Sequence, residues 1–214
     1  MKSTLQRKNG RLLKRWFDMI VAAMGLLLLA PLLVVVALLV RLTSAGPVFF
    51  RQERMGRGFR PFRIYKFRTM VEDAPRRGSP VTFGADPRIT PLGRALRATK
   101  IDELPQLINV LVGDMSLVGP RPEVRKYVEM FREDYEEVLR VRPGITDPAS
   151  IRFRHEAEIL GLAADPEREY VERILPEKLR LAKEYVRLSS FWYDVALIFK
   201  TALAVGCGKA SAKG

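Results

Sequence analysis

Residues 19–40 carry no charge, Pro31 stands in the middle of them, and basic residues crowd both ends. At about 1.5 Å per residue a helix over residues 20–40 would be about 31 Å long, enough to cross the hydrocarbon core of a bilayer. A single spanning anchor is the simplest reading, but the flanks argue against it. Lys2, Arg7, Lys8, Arg11, Lys14 and Arg15 precede the run; Arg41, Arg51, Arg54, Arg57, Arg60, Arg63, Lys66 and Arg68 follow it. A spanning helix keeps only one basic flank in the cytoplasm, so bases on both sides favour a re-entrant helix that returns to its starting face. Ala30 and Pro31 mark the hinge, because proline removes a backbone donor and its ring breaks the ladder. Ala30 brings no hydroxyl to the carbonyls so freed. A cleavable leader fits less well, since its apolar stretch is usually about 7–15 residues.

The chain of 214 residues is long enough for one compact domain with an appendage. With 48% apolar and 29% charged residues it should fold around a core. A net charge of +13 calls for an anionic partner, which composition leaves open among nucleic acid, anionic lipid and a phosphate-bearing substrate. Cys207 is the only cysteine and His155 the only histidine, which excludes an internal disulfide and a Cys/His zinc site. A metal would have to be held by oxygen, as Mg²⁺ or Mn²⁺ is.

Beyond the apolar run, Val48-Phe49-Phe50 and residues 62–68 interleave apolar and basic residues and predict short strands, with Phe62, Ile64, Lys66 and Arg68 on one face. Residues 73–91 hold Pro75, Gly78, Pro80, Gly84, Pro87 and Pro91 without periodicity and predict a long loop. Val124, Tyr127, Val128, Phe131, Tyr135, Val138 and Leu139 recur at helical steps. A second such pattern from Tyr170 to Val186 is punctuated by Pro176, which predicts a helix, a break and a further helix. The largely apolar residues 191–205 are too short to span and suit a helix lying in the membrane interface or packed on the core.

Residues 99–111 predict a helix with Asp102 and Glu103 in its first turn. Carboxylates there complement the helix dipole, a sufficient structural reason for them. Neighbours on a helix point about 100° apart, so this pair cannot share one proton and would need separate roles. Arg121 stands between Pro120 and Pro122, and Arg142-Pro143-Gly144-Ile145-Thr146 repeats the device; a rigidly presented guanidinium is a planar fork for phosphate.

Five ordered segments carry a resemblance: Lys14-Arg15-Trp16-Phe17-Asp18 with Pro31, Tyr65-Lys66-Phe67-Arg68-Thr69-Met70, Asp102-Glu103-Leu104-Pro105-Gln106-Leu107, Gly113-Asp114-Met115-Ser116 through Gly119-Pro120-Arg121-Pro122, and Arg142-Pro143-Gly144-Ile145-Thr146. Over nearly its whole length the chain resembles the monotopic phosphoglycosyl transferases, bacterial sugar transferases that prime glycan assembly on undecaprenyl phosphate, in their small minimal form. The resemblance implies transfer of a sugar-1-phosphate from a UDP-sugar to undecaprenyl phosphate, releasing UMP, at the cytoplasmic face of the bacterial inner membrane. It implies that Asp102 is the nucleophile, forms a covalent phosphosugar and binds Mg²⁺, and that Glu103 supports it. Lys66, Arg68, Arg97, Arg121 and Arg142 are the implied substrate-binding residues. Two departures are visible: Ala30-Pro31 stands where Ser-Pro is common, and Asp147-Pro148-Ala149-Ser150 follows the Arg-Pro-Gly-Ile-Thr motif.

The expected fold is α+β, mainly helical with a small β-sheet and one proline-broken re-entrant membrane helix. It divides into a basic lead-in and membrane helix (1–42), a cytoplasmic catalytic domain (43–190), and an interfacial helix with a C-terminal tail (191–214). Expected partners are a UDP-sugar, undecaprenyl phosphate and membrane lipid, with a homo-oligomer allowed for. The rival is a non-catalytic, membrane-tethered basic module holding anionic lipid or nucleic acid, since surface bases are worth about 1 kcal/mol each at an anionic bilayer. No base-reading motif is present, so nucleic acid is not expected.

Overall fold

A computed structural model describes residues 2–74, 82–83 and 86–206, and side chains within these from residue 12 to residue 204. Pro75, Gly78, Pro80 and Gly84 of the expected loop lie outside the described residues, as do Cys207 and the tail after it. Helix dominates, with two small sheets, as expected for the class.

The first helix, α1 (Lys2–Thr43), contains the whole apolar run and continues through Pro31. Its Leu12–Thr43 part is long and apolar enough to cross a membrane, and 11% of its most apolar stretch is buried in the protein. Leu27, Leu28 and Leu42 are among its bare side chains. The basic lead-in is docked instead. Arg15 donates to the carbonyls of Val110 (2.6 Å) and Leu111 (2.9 Å) near the end of α3 (Gln106–Val112), where a cation also meets the negative end of the helix dipole. Asp18 accepts from Ser116 Oγ at 2.7 Å.

Strands β1 (Phe49–Met55) and β2 (Pro61–Phe67) form an antiparallel hairpin running from Phe49 opposite Phe67 to Met55 opposite Pro61. Ile64 and Phe67 are both buried though three apart, so the two-residue alternation does not hold to the strand's end. There α1 and α2 (Pro91–Ala98) cover Phe67, with Val36, Val40 and Leu96 around it. The second sheet is a parallel pair, β3 (Ser116–Val118) and β4 (Gly144–Thr146). The two chains run so close at its end that a Cβ on Gly144 would lie 2.0 Å from the backbone nitrogen of Gly119, a separation only glycine permits.

The amphipathic stretch after Pro122 is two helices, α4 (Arg125–Met130) and α5 (Arg132–Val138), because Phe131 leaves the helical region at φ −118°, ψ 41°. Short helices α6 (Pro148–Arg152), α7 (Glu156–Gly161) and α8 (Pro166–Glu169) follow. The break expected at Pro176 does not occur. Residues Tyr170–Ile174 widen into a π-turn that leads straight into α9 (Leu175–Leu188), with Pro176 in its first turn. A proline ring crowds the carbonyl four residues earlier, and a wider turn relieves that crowding without ending the helix.

The last helix, α10 (Phe191–Gly206), is anchored by buried Asp194, which accepts from Tyr185 Oη at 2.7 Å and pairs with Lys14. Its Trp192, Phe199 and Leu203 are exposed at helical spacing. It therefore packs on the core by one face and shows a bare apolar face on the other.

Candidate active site

Residues 99–111 do not make one helix. Pro105 has no N–H to bond the carbonyl of Ile101, and the N–H of Leu104 takes that carbonyl at 3.2 Å, which closes a tighter turn. Asp102 and Glu103 thus lie in a 3₁₀ turn (Ile101–Glu103), and α3 begins after it. Just upstream, Lys100 adopts φ 59°, the left-handed position that glycine usually fills after a helix end. That residue turns the chain sharply from α2 into the acid pair, and residue-level patterning had no means of finding it.

The two acids are both buried and differently surrounded. Glu103 accepts from Lys66 Nζ (2.9 Å) on β2 and is gripped by the Arg121 guanidinium, with Nη1 to Oε2 at 3.1 Å and Nη2 paired to Oε1. Burial alone would raise its carboxyl, but the charges of Arg121 and Lys66 outweigh burial and hold it well below the usual carboxylate range. Asp102 makes no hydrogen bond among the described residues, and its Oδ1 is fully buried. Burial and the neighbouring Glu103 charge raise its pKa, against Lys66, Arg97 and Lys100. The separate roles that their angular separation demands thus have separate environments: one carboxylate is fixed and the other is free to react.

Each residue of the Lys66-Phe67-Arg68-Thr69-Met70 segment has its own task. Lys66 holds Glu103, and Phe67 fills the core below α2. Arg68 turns away to the end of α1, where Nη2 donates to the carbonyl and hydroxyl of Ser44, both at 2.8 Å. Thr69 Oγ1 accepts from Arg97 Nε at 2.8 Å, and Met70 bridges to Ile89. So fixed, Arg97 lies within electrostatic reach of Asp102, and burial lowers its pKa. Beside it, Arg88 and Asp86 form a buried pair, with Nε to Oδ1 at 2.9 Å.

The two arginines presented by proline turns part company. Arg121 reaches Glu103 while its backbone N–H donates to Asp147 Oδ2 at 3.3 Å. Asp147 also caps α6, accepting from Ser150 N at 2.7 Å ahead of Pro148, which accounts for the Asp-Pro after the Arg-Pro-Gly-Ile-Thr motif. Arg142 donates through Nε to the Gly113 carbonyl at 2.8 Å and its charged neighbours are Arg57, Arg15 and Asp18. Lys66, Arg97 and Arg121 therefore surround the acid pair, whereas Arg68 and Arg142 brace the scaffold.

Sequence reading passed over two polar residues of this region, the buried Asn109 and the half-buried Glu123. Asn109, on α3, accepts from Tyr65 N at 2.9 Å and donates to the Arg63 carbonyl at 2.8 Å, which fixes α3 to β2 and so the acids to Lys66. Glu123 accepts from Arg54 Nη1 (2.9 Å), Val124 N (2.8 Å) and Tyr170 Oη (2.5 Å), locking the Arg121 turn between β1 and the π-turn. Both are ordinary polar residues beside a motif, and only their partners show their use. Among the described residues no three His, Cys, Asp or Glu side chains converge as a metal cage.

The family described as bacterial sugar transferase matches residues 9–208. The UDP-N-acetylgalactosamine-undecaprenyl-phosphate N-acetylgalactosaminephosphotransferase of Aeromonas hydrophila is 39% identical over 88% of this chain and 42% of its own length. The UDP-glucose:undecaprenyl-phosphate glucose-1-phosphate transferase of Escherichia coli K12 is 40% identical over 90% of this chain and 40% of its own length. A protein of the same description from Caulobacter vibrioides is 39% identical over 92% of this chain and 71% of its own length. The chain thus spans about two fifths of the length of the first two relatives. With the family match running through the basic lead-in, the acid pair and both proline-braced arginines, this chain belongs to the bacterial sugar transferase family.

Proposed function

We propose that this protein transfers a sugar-1-phosphate from a UDP-sugar to undecaprenyl phosphate, giving a polyprenyl diphosphate sugar and UMP, the priming step of a bacterial glycan. The observation that carries the reading is the unequal acid pair: Asp102 is buried, unpaired and ringed by cations, next to a Glu103 clamped by Lys66 and Arg121. A binding module for anionic lipid would have no use for two carboxylates at the focus of its bases, where they cancel the attraction.

A carboxylate oxygen of Asp102 attacks the sugar-bearing phosphorus of the donor, and the bond from that phosphorus to the bridging oxygen breaks, so that UMP leaves with the oxygen. A phosphate oxygen of the lipid then attacks the same phosphorus and frees the carboxylate. Splitting one displacement into two suits a positioned carboxylate nucleophile. Arg97 and Lys66 face the charge that builds on the phosphoryl oxygens, and Glu103 keeps Lys66 and Arg121 in place. The lone buried carboxylate oxygen of Asp102 is a hard donor that fits Mg²⁺, an ion commonly held by one or two carboxylates together with substrate phosphates. When bound, the ion supplies charge neutralisation at the diphosphate.

The active face would stand at the cytoplasmic surface of the inner membrane, with α1 re-entering at Ala30-Pro31 and the bare face of α10 in the headgroup layer. Bases on both flanks of α1 and the exposed Trp192, Phe199 and Leu203 support that placement.

The test is incubation of the full chain in detergent with UDP-N-acetylgalactosamine or UDP-glucose, Mg²⁺ and no lipid acceptor. One UMP per enzyme and a sugar-phosphate mass on the peptide holding Asp102 are expected, discharged by undecaprenyl phosphate and absent in Asp102→Asn. UMP release only when both substrates are present, with no adduct, would replace the covalent route by direct transfer.

A further inference from the structure

Resting on that reading, we propose that Gln106 is a further catalytic residue, whose side-chain amide donates to a non-bridging oxygen of the phosphoryl group that Asp102 attacks. Gln106 is 1% exposed, yet no hydrogen bond joins its amide to any described residue, and its Nε2 is fully buried. The contrast with Asn109 isolates the anomaly. Asn109 lies three residues further along α3, is equally buried at 0% exposure, and has both ends of its amide bonded to β2. Buried side-chain amides in folded proteins are nearly always satisfied, and the exceptions need a reason.

Its position points to the missing partner. Leu104 and Pro105 are both right-handed helical, so the backbone winds continuously from Asp102 to Gln106. Residues four apart on a path that mixes 3₁₀ and α turns lie within about a third of a turn of each other and rise about 6–8 Å. Within this one turn stand two buried polar groups without partners, a carboxylate oxygen and an amide donor, and they do not bond to each other. An amide whose task was to orient Asp102 would bond it here. A group that both can engage at once must offer an electrophilic centre to the carboxylate and an acceptor oxygen to the amide, and a phosphoryl group offers both. Lys66 and Arg121 share their charge with Glu103, so a neutral donor adds directed stabilisation where negative charge grows without drawing charge from the nucleophile.

The experiment compares wild type with Gln106→Met, of similar length but apolar, and Gln106→Glu, isosteric but without a donor at neutral pH. The full chain in detergent is mixed with UDP-N-acetylgalactosamine or UDP-glucose and Mg²⁺, with and without undecaprenyl phosphate, and the single-turnover rate of UMP release and the donor KM are read beside the melting temperature. Gln106→Met is expected to melt no lower than wild type, because it removes an unpaired buried amide, while UMP release slows about a hundredfold with donor KM within about twofold. Gln106→Glu is expected to be slower still, because it sets a like charge against the phosphate. Wild-type UMP release in either folded variant overturns the assignment, as does a loss that only tracks a lowered melting temperature. If Gln106→Met does not fold, Gln106→Glu alone decides by the same criteria. Failure of the function itself looks different: the wild-type chain would release no UMP from any donor, and the inference would fall with it.

Discussion

Removing Arg121 should expose how much of the site's order rests on one ion pair. Glu103 is 11% exposed at its side chain and bonded by both Arg121 and Lys66; Arg121 is 36% exposed. Hydrogen bonds to charged groups contribute about 1.5–3 kcal/mol, and the partial exposure of Arg121 places the bidentate pair at the lower end, about 1.5–2 kcal/mol. Arg121→Ala should therefore lower the melting temperature by about 3–8 °C for a chain of this size. With Glu103 replaced by Gln the same change should cost only about 0.5 kcal/mol, since a neutral amide needs no counter-charge. The double-mutant cycle of Arg121→Ala and Glu103→Gln, followed by near-ultraviolet circular dichroism in detergent, is expected to give a coupling of about 1–1.5 kcal/mol. Additive effects within about 0.3 kcal/mol would refute the clamp and with it the division of labour between the two acids.

Cysteines introduced by Ser3→Cys and Ser44→Cys in a Cys207→Ser background should both resist an impermeant thiol reagent on whole cells, and Pro31→Leu should make one of them reactive; labelling of Ser3→Cys alone with Pro31 intact would show that α1 spans. Arg97→Ala, which gives up its bond to Thr69, should slow UMP release about ten- to a hundredfold with only a small fall in melting temperature, whereas Arg142→Ala, which loses the bond to the Gly113 carbonyl, should lower the melting temperature with little effect on UMP release by the folded protein; the reverse pattern would exchange their roles. Stripping divalent ions with a chelator should stop turnover and added Mg²⁺ should restore it, and full activity in the chelator would remove the ion from the scheme. Burial would raise the Glu123 carboxyl, but Arg54 and Lys178 hold it low, so its stabilisation is complete above the unfolded value near pH 4.3 and is lost as pH falls through the folded value. Glu123→Gln should thus destabilise at pH 7 by about 1–2 kcal/mol and by less as acid is added, and a gap that widens in acid would contradict this.

The amino-acid sequence by itself determined the long apolar helix, short strands around Phe49 and residues 62–68 and the amphipathic segments, because each follows from local periodicity; that the strands pair as a hairpin reaching Met55 came from the structure. Motifs and the family resemblance also marked Asp102, Glu103, Lys66, Arg68, Arg97, Arg121 and Arg142, all alike, with nothing to rank them. Tertiary structure decided which of the bases belong together. Arg121 and Arg142 sit in near-identical proline turns, yet one meets Glu103 and the other a backbone carbonyl, because the parallel pairing of β3 and β4 sets them at different ends of a two-stranded strap. Likewise Arg68, two residues from Lys66 on a strand, was expected beside it; the chain leaves β2 after Phe67 and carries Arg68 to Ser44. The π-turn before Pro176 and the 3₁₀ turn under the acids have local causes in Pro176 and Pro105, but a proline says that the ladder is disturbed and not whether the chain breaks, tightens or widens there, and the left-handed Lys100 has no residue-type signal at all. Contacts between residues far apart in the chain carry no local signature, and it is these contacts that leave one of two adjacent carboxylates pinned and the other free.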